Sequence, residues 1–178
     1  MFTKSNIFRM LIWLVFLIGG AILGTYYDKI YFFAVFNNLY FHIGSLIIGY
    51  ILLRMVLKAS RNTGRFLAKM GREGDIPRLQ TNKLVTTGLY ALMRHPMHQG
   101  LWFFPLAFAL LVGSPTFILF ITPFEMLLMI VMIKIWEEPE TEKKFGDAYL
   151  QYKKKVPFFC FKPECIRALL TENYDEKE

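Results

Sequence analysis

Two short polar clusters contain the side chains of this sequence that could carry chemistry. The first comprises Arg94, His95 and His98 in "RHPMH", and the second comprises Glu137 and Glu138 in "EEPE". Guanidinium and imidazole groups bind anions, whereas paired carboxylates bind cations and hydrogen-bond donors. If the chain brings the two clusters together, they form a site that suits a ligand carrying both signs of charge.

The apolar segments beside these clusters are long enough to cross a membrane. Of the 178 residues, 54% are hydrophobic, and neither 31–53 nor 95–124 contains an Asp, Glu, Lys or Arg. Because roughly 20 apolar residues span the hydrocarbon core, we predict four spans, at about residues 7–26, 35–57, 96–113 and 116–136. The predicted fold is an all-α, polytopic membrane bundle of about four transmembrane helices plus a C-terminal amphipathic helix, forming one domain over residues 1–178.

The positive charges predict which side of the membrane each connection occupies. Of the 21 Lys and Arg residues, only Lys29 lies outside the N-terminus, residues 54–94 and the chain from residue 134 onward. Four spans place these three regions on one face, which the positive-inside rule makes cytoplasmic. We therefore predict cytoplasmic termini and a cytoplasmic site. The net charge of +7 is then explained by anionic lipid and not by nucleic acid, and the only two cysteines, Cys160 and Cys165, are expected to be reduced.

The connection between the third and fourth predicted spans brings the two polar clusters together. Its sequence, "VGSPT", is so short that the helices must form a tight antiparallel hairpin. Pro96 suits the first turn of span three, where unpaired backbone N–H groups attract anions. Pro139 is predicted to end span four, with Glu138 in an extended conformation before it.

The segment "PETEKKFGDAYLQYKKK" that starts at Pro139 is predicted to be a separate amphipathic helix. It begins with acidic residues and ends with three lysines, which suits the helix dipole. Phe145, Tyr149 and Tyr152 recur at helical spacing and form one apolar face. We expect this helix to lie on the membrane surface or against the spans.

The charge pattern indicates a type of ligand but no metal ion. S-adenosylmethionine has a carboxylate, an ammonium and a sulfonium, and would match both clusters, although phospholipid headgroups match them as well. Met93, His95, Met97 and His98 follow no specific metal-binding spacing, so no metal is predicted.

Two motifs resemble those of a known enzyme superfamily. "KLVTTGLYALMRHPMHQG" followed by "EEPETEKKFGDAYLQYKKKVP" is similar to the isoprenylcysteine carboxyl methyltransferases and phospholipid methyltransferases, which are integral membrane enzymes. The resemblance covers about residues 83–157. It implies that elements at about 83–100 and 136–160 bind S-adenosylmethionine on the cytosolic side. The methyl acceptor would be a membrane lipid, or a lipidated or small molecule.

The resemblance also implies which residues contact the cofactor. They belong to the two polar clusters, to a loop that closes over the adenosine, and to a pair of tyrosines in the terminal helix. The residues of the polar clusters are His95, His98, Glu137 and Glu138. Those of the loop are Gly88 and Tyr90, and the tyrosine pair is Tyr149 and Tyr152. Arg94 would support them and is predicted to act in catalysis.

The chain departs from the family at three positions. His98 stands where Tyr is usual, Thr141 where Leu is usual, and Phe158 where Arg is usual. The last change removes an expected cation, which Lys155 or Lys162 could replace.

Glu125 is the second candidate catalytic residue. It is the only acidic residue within a predicted span, and such residues are functional hypotheses by default. It could hold an ammonium acceptor, pair with His42, or be a protonated carboxyl hydrogen-bonded inside the bundle. Gly20 and Gly24 form a GxxxG motif that predicts close packing between helices.

Two other functions fit the same sequence. Sterol reductases have a related fold and a similar "Y..Y...VP" pattern but bind NADPH, and a non-catalytic membrane assembly factor could use the same scaffold.

Overall fold

The computed structural model describes residues 4–75 and 81–171, and this part of the chain is helical with connecting loops, which confirms the all-α prediction. The α-helices are α1 (Lys4–Tyr31), α2 (Phe33–Phe36), α3 (Leu39–Met70), α4 (Leu89–Leu92), α5 (Pro96–Leu101), α6 (Phe104–Val112), α7 (Thr122–Met132), α8 (Glu138–Phe145), α9 (Asp147–Lys155) and α10 (Pro163–Thr171). Two π-helical turns occupy Phe117–Ile121 and Ile133–Glu137. Arg78 and Lys177, two of the positive charges counted above, lie outside the described residues.

Among the described residues, three continuous helices are long and apolar enough to cross a membrane: Phe8–Tyr31, Leu39–Met70 and Phe117–Phe145. The third predicted span is instead a shorter apolar helix, Pro96–Val112. It is interrupted at Trp102 and Phe103, because Pro105 lacks an N–H and its ring clashes with the preceding turn. Since α5 has only six residues, it attracts anions less than the long helix expected at Pro96.

The predicted break in the chain at Glu138 is wrong. The fourth span continues as one helix past Pro139, and Glu138 itself is helical, with φ −61° and ψ −44°. The π-helical turn Ile133–Glu137 has already left the ordinary α-helical hydrogen-bond pattern, so the missing N–H of Pro139 does not end the helix. As a result, Glu137 and Glu138 project from helical backbone.

The single terminal helix predicted from Pro139 to Lys155 is also wrong. Gly146, with φ 55° and ψ −135°, separates α8 from α9. That backbone conformation is open to glycine and strained for other residues.

The described chain packs as two compact units. Of the described residues, the site unit comprises 55–75, 81–101 and 132–171, and the span unit comprises 4–54 and 102–131. The site unit contains every residue of both polar clusters.

Within the span unit, the tight hairpin forms as predicted. Gly113 adopts a left-handed conformation, φ 69°, that ends α6. The Ser114 hydroxyl accepts the N–H of Phe117 at 3.1 Å, and the Asp28 carboxylate accepts the N–H of Thr116 at 2.7 Å. These two side chains satisfy backbone donors at the start of the next helix, and Asp28 ties that start to α1.

The GxxxG motif of α1 marks a close contact within the span unit. An added Cβ at Gly24 would lie 2.6 Å from the Ser114 hydroxyl and 2.9 Å from the Cβ of Phe117. At Gly20 it would lie 3.0 Å from the Phe117 ring. The prediction of close helix packing is therefore confirmed.

Replacing Gly24 with Leu is expected to lower the free energy of unfolding by about 1 to 3 kcal/mol, because the added side chain overpacks this contact. Thermal unfolding of the detergent-solubilised protein measures the change. Gly19→Leu is the matched control, since an added Cβ at Gly19 has no neighbour within 4 Å. Equal losses in the two variants would contradict the assigned contact.

The core of the site unit joins α4 and α10. It buries an apolar cluster formed by Ala59, Leu89, Met93, Cys160, Cys165 and Leu169. The expectation of two reduced cysteines is wrong, because Cys160 and Cys165 form a disulfide. The first turn of α10 brings their Cα atoms to 5.9 Å, which is within the usual range for a disulfide.

Candidate active site

An extended segment carries Arg94 and His95 of the first polar cluster, and α5 carries His98. Met93, with φ −155° and ψ 149°, follows α4, and α5 begins immediately after His95. The backbone N–H groups of Arg94 and His95 donate to the carbonyls of Pro157 and Phe158, at 2.9 and 3.4 Å. The segment after α9 therefore fixes the backbone that presents Arg94 and His95.

The Gln99 side chain holds the two segments together one turn later. Its amide nitrogen donates to the carbonyl of Cys160 at 2.5 Å, and its amide oxygen accepts the N–H of the same residue at 2.8 Å. Gln99 is buried, and sequence analysis missed its role, because nothing local marks a glutamine whose partner lies 61 positions away.

Glu138 is the centre of the polar network. Its Oε1 accepts from Nε and Nη2 of Arg94 at 3.1 and 2.9 Å and lies 3.3 Å from Nε2 of His95. Its Oε2 lies 2.9 Å from Nζ of Lys153. The Glu138 side chain is 6% exposed. A buried carboxylate needs such partners, because its desolvation cost is otherwise uncompensated.

Arg94 links this carboxylate to the end of α9. Its Nη1 donates to the carbonyls of Lys153 and Val156, at 3.1 and 2.9 Å. Arg94 thus neutralises Glu138 and also satisfies carbonyl groups in the last turn of the helix. The sequence-based expectation that Arg94, His95 and His98 meet Glu137 and Glu138 is therefore correct.

Glu137 lies against the two histidines. Its Oε1 is 3.2 Å from Nε2 of His98, and its Oε2 is 3.9 Å from Nδ1 of His95. The Glu137 side chain is 31% exposed, far more than that of Glu138. Glu137 is therefore the carboxylate of the pair that a ligand reaches more easily.

The His95 ring is buried against Phe158, with the ring centroids 4.8 Å apart. This burial lowers the pKa of His95 below its ordinary value, and it outweighs the Glu138 hydrogen bond, which acts in the opposite direction. The imidazole is therefore neutral at neutral pH. Phe158 also contacts the cations of Arg94 and Lys134, at 5.6 and 5.7 Å from its ring centroid.

Lys153 is the lysine that pairs with the buried carboxylate of the site. Lys153 supplies the ion pair with Glu138, whereas Lys162 lies 4.0 Å from Glu164, where both side chains are exposed. The run "KKK" marked this segment as basic, but only the phase of α9 decides which lysine faces the carboxylate.

The predicted tyrosines are buried in the same unit. The Tyr152 hydroxyl donates to the carbonyl of Tyr90 at 2.6 Å, and the Tyr90 ring stacks on Phe66. The Tyr149 hydroxyl forms no well-aligned hydrogen bond within the described residues. Burial raises the pKa of Tyr90, Tyr149 and Tyr152 well above the ordinary value, so these phenols stay protonated.

Gly88 begins the loop that carries Tyr90. Its backbone has φ 58° and ψ −130°, and an added Cβ would lie 2.7 Å from the Phe66 ring. Both the backbone conformation and the close approach of Phe66 require glycine here.

Replacing Gly88 with Ala is expected to cost more stability than replacing Gly146 with Ala. The two glycines have nearly the same backbone angles, so each substitution introduces strain of about 1 to 3 kcal/mol. Only Gly88→Ala adds the clash with Phe66, since an added Cβ at Gly146 has no neighbour within 4 Å. Chemical unfolding of the two variants measures the difference, and a larger loss for Gly146→Ala would contradict this account.

Glu125 is not part of this cluster, because it belongs to the span unit. It is fully buried, and neither carboxylate oxygen has a hydrogen-bond partner in the part of the chain that the structure describes. The proposed pair with His42 does not form, since the His42 ring contacts the Phe36 carbonyl at 2.5 Å. The internal hydrogen bond considered above for this carboxyl is also absent among the described residues.

Comparison with known proteins identifies one family and one relative. A family model described as "Phospholipid methyltransferase" matches residues 37–148 of the chain. The "Protein-S-isoprenylcysteine O-methyltransferase" of Schizosaccharomyces pombe is 35% identical over 80 residues, which are 42% of this chain and 31% of that protein. The chain therefore matches less than a third of the length of this curated relative. No solved structure matches it at a significant level.

Proposed function

Because this chain belongs to the phospholipid methyltransferase family, we propose that it binds S-adenosylmethionine and transfers its methyl group to an acceptor at a membrane. One observation carries the proposal. Two carboxylates, a guanidinium, an ammonium and a neutral imidazole converge within the site unit. This set of groups suits a ligand that has a carboxylate, an ammonium and a sulfonium.

The two carboxylates have different roles in the proposed site. Glu138 is buried and contacts Arg94, His95 and Lys153. It therefore holds these basic side chains in position. Glu137 is more exposed and faces the ammonium or sulfonium of the ligand. The guanidinium of Arg94 favours the ligand carboxylate.

The remaining predicted residues shape the site and do not exchange protons. His95 is a neutral imidazole, and the three tyrosines are protonated phenols that can donate hydrogen bonds. The cofactor supplies an electrophilic methyl group on a sulfonium. What the chain must add is orientation of the reacting groups and exclusion of water, and orientation is worth roughly 7 to 11 kcal/mol in favourable cases.

We also propose the position of the site and the type of acceptor. Long apolar helices and the basic connections support a site at the cytoplasmic surface of a membrane. The acceptor is a membrane lipid, or a lipidated or small molecule, such as an isoprenylcysteine carboxylate or a phospholipid amine. Within the span unit, the fully buried Glu125 carboxyl is proposed to hold an ammonium group.

Methyl transfer from labelled S-adenosylmethionine to a membrane extract tests the function. Label is expected in an extractable lipid or a small acceptor, which mass spectrometry identifies. Calorimetry on the purified chain should show binding of S-adenosylhomocysteine. Binding of NADPH without S-adenosylhomocysteine would overturn the proposal in favour of an oxidoreductase.

A further inference from the structure

We propose that His95, His98 and Glu137 bind a divalent transition-metal ion of the zinc type. Each of the three offers one ligand atom, and these atoms lie within 4.8 Å of one another. Two imidazoles and one carboxylate form a ligand set that zinc, cobalt and iron accept, whereas magnesium and calcium prefer oxygen ligands alone.

The separations are close to those that a bound ion requires. A tetrahedral zinc ion with ligands at about 2.1 Å separates its ligand atoms by about 3.4 Å. The observed separations are 3.2 Å from His98 Nε2 to Glu137 Oε1 and 3.9 Å from His95 Nδ1 to Glu137 Oε2. These two separations lie on either side of the expected value, and the ligand atoms of all three residues lie within 4.8 Å of one another.

The hydrogen bond of His95 assigns the nitrogen that faces the site. Its Nε2 lies 3.3 Å from Oε1 of Glu138, and an ionised carboxylate can only accept, so Nε2 carries the proton. Nδ1 then has a lone pair directed toward Glu137. In metal sites, the ring nitrogen of a histidine that does not bind the metal usually donates its N–H to a carboxylate, which fixes the orientation of the ring.

Neighbouring charges favour this use of His95. The charge of Glu138 is already compensated by Arg94 and Lys153, so Glu138 can hold the ring without competing for the ion. Three protein ligands leave a fourth position open for water or another donor.

The metal site shares His95 and Glu137 with the proposed cofactor site. The metal ion and S-adenosylhomocysteine should therefore compete for the chain, and this competition alone rests on the proposed function. The metal site itself is tested without any cofactor present.

Cobalt binding to the purified full chain tests the proposal. The protein is prepared without a histidine tag, and Co²⁺ is titrated while its visible absorption is recorded, followed by displacement with Zn²⁺. We expect one Co²⁺ per chain. His98→Gln and Glu137→Gln should each weaken the affinity at least tenfold.

Two control variants separate the triad from nonspecific binding. His42→Gln removes the remaining histidine, and Glu140→Gln removes an exposed carboxylate of α8. Both should bind Co²⁺ as the unmodified chain does. Circular dichroism confirms that each variant is folded, and if one of the two site variants fails to fold, the other provides the comparison.

The outcomes distinguish this proposal from the proposed function. Absence of saturable Co²⁺ and Zn²⁺ binding, or equal binding by all four variants, would overturn the metal site and leave a simple histidine–carboxylate ion pair. Retained Co²⁺ binding without any S-adenosylhomocysteine binding would support the metal site while contradicting the cofactor proposal. Competition between Co²⁺ and S-adenosylhomocysteine would support both.

Discussion

Glu138→Gln is expected to weaken S-adenosylhomocysteine binding at least tenfold and to lower the free energy of unfolding by about 3 to 5 kcal/mol. The substitution keeps the size of the side chain and removes its charge. Arg94 and Lys153 would then lose the anion that both of them contact. An uncompensated buried cation accounts for most of the expected loss of stability.

The loss of binding has a separate cause. In the intact site, one carboxylate oxygen holds both the Arg94 guanidinium and the His95 ring. A glutamine has a single neutral oxygen that can accept from Arg94 or from His95 Nε2, and it attracts these two groups less strongly than a carboxylate does. Loss of one charged hydrogen bond costs about 1.5 to 3 kcal/mol, which corresponds to at least a tenfold change.

Calorimetry and chemical unfolding measure the two effects, with Glu140→Gln as the control. Glu140 lies two residues along the same helix and is exposed. Its replacement should change stability by less than about 0.5 kcal/mol, as is usual for exposed positions. If the two variants behave alike in both measurements, Glu138 is not the centre of the site.

Arg94→Lys is expected to destabilise the protein by about 3 kcal/mol even though the positive charge is retained. Arg94 uses three nitrogens at once. Two contact Glu138, and the third donates to the carbonyls of Lys153 and Val156. A lysine ammonium is a compact point charge that cannot reach all these acceptors, so carbonyl groups in the last turn of α9 would lose their donor.

Thermal and chemical unfolding again provide the measurement, with Arg61→Lys as the matched control. Arg61 lies on α3 within the same unit and is exposed. Its conversion should leave stability nearly unchanged. An Arg94→Lys variant as stable as Arg61→Lys would show that the guanidinium geometry is unimportant and that charge alone matters at this position.

Local sequence signals predicted the parts of the site that depend on short-range geometry. Gly113 adopts the left-handed conformation of the hairpin, and the Ser114 hydroxyl caps the next helix. Glycine and serine favour these roles because of their own side chains, so the sequence alone could predict the turn. Gly20 and Gly24 predicted a close helix contact for a similar reason, since only a residue without a side chain permits it. The meeting of the two polar clusters followed from these short-range rules.

Other features depended on the backbone path and on the rotation of helices, which the sequence rules did not predict. The proline rule failed at Glu138, because the π-helical turn before Pro139 gave the backbone another way to continue. The disulfide depends on α10 turning back over Cys160, and local spacing did not predict that contact. The choice of Lys153 as the partner of Glu138 depends on the rotation of α9.

By itself, the sequence determined the helical class, the apolar segments and the residue types of the site, because composition and hydrophobic periodicity are carried by the chain without tertiary contacts. Only the tertiary structure decided how the six charged and polar groups share their contacts. It buried Glu138 among Arg94, His95 and Lys153 and left Glu137 more exposed beside His98. The physical reason is that burial and hydrogen-bond direction depend on segments more than 40 positions apart, and no local pattern encodes their relative orientation.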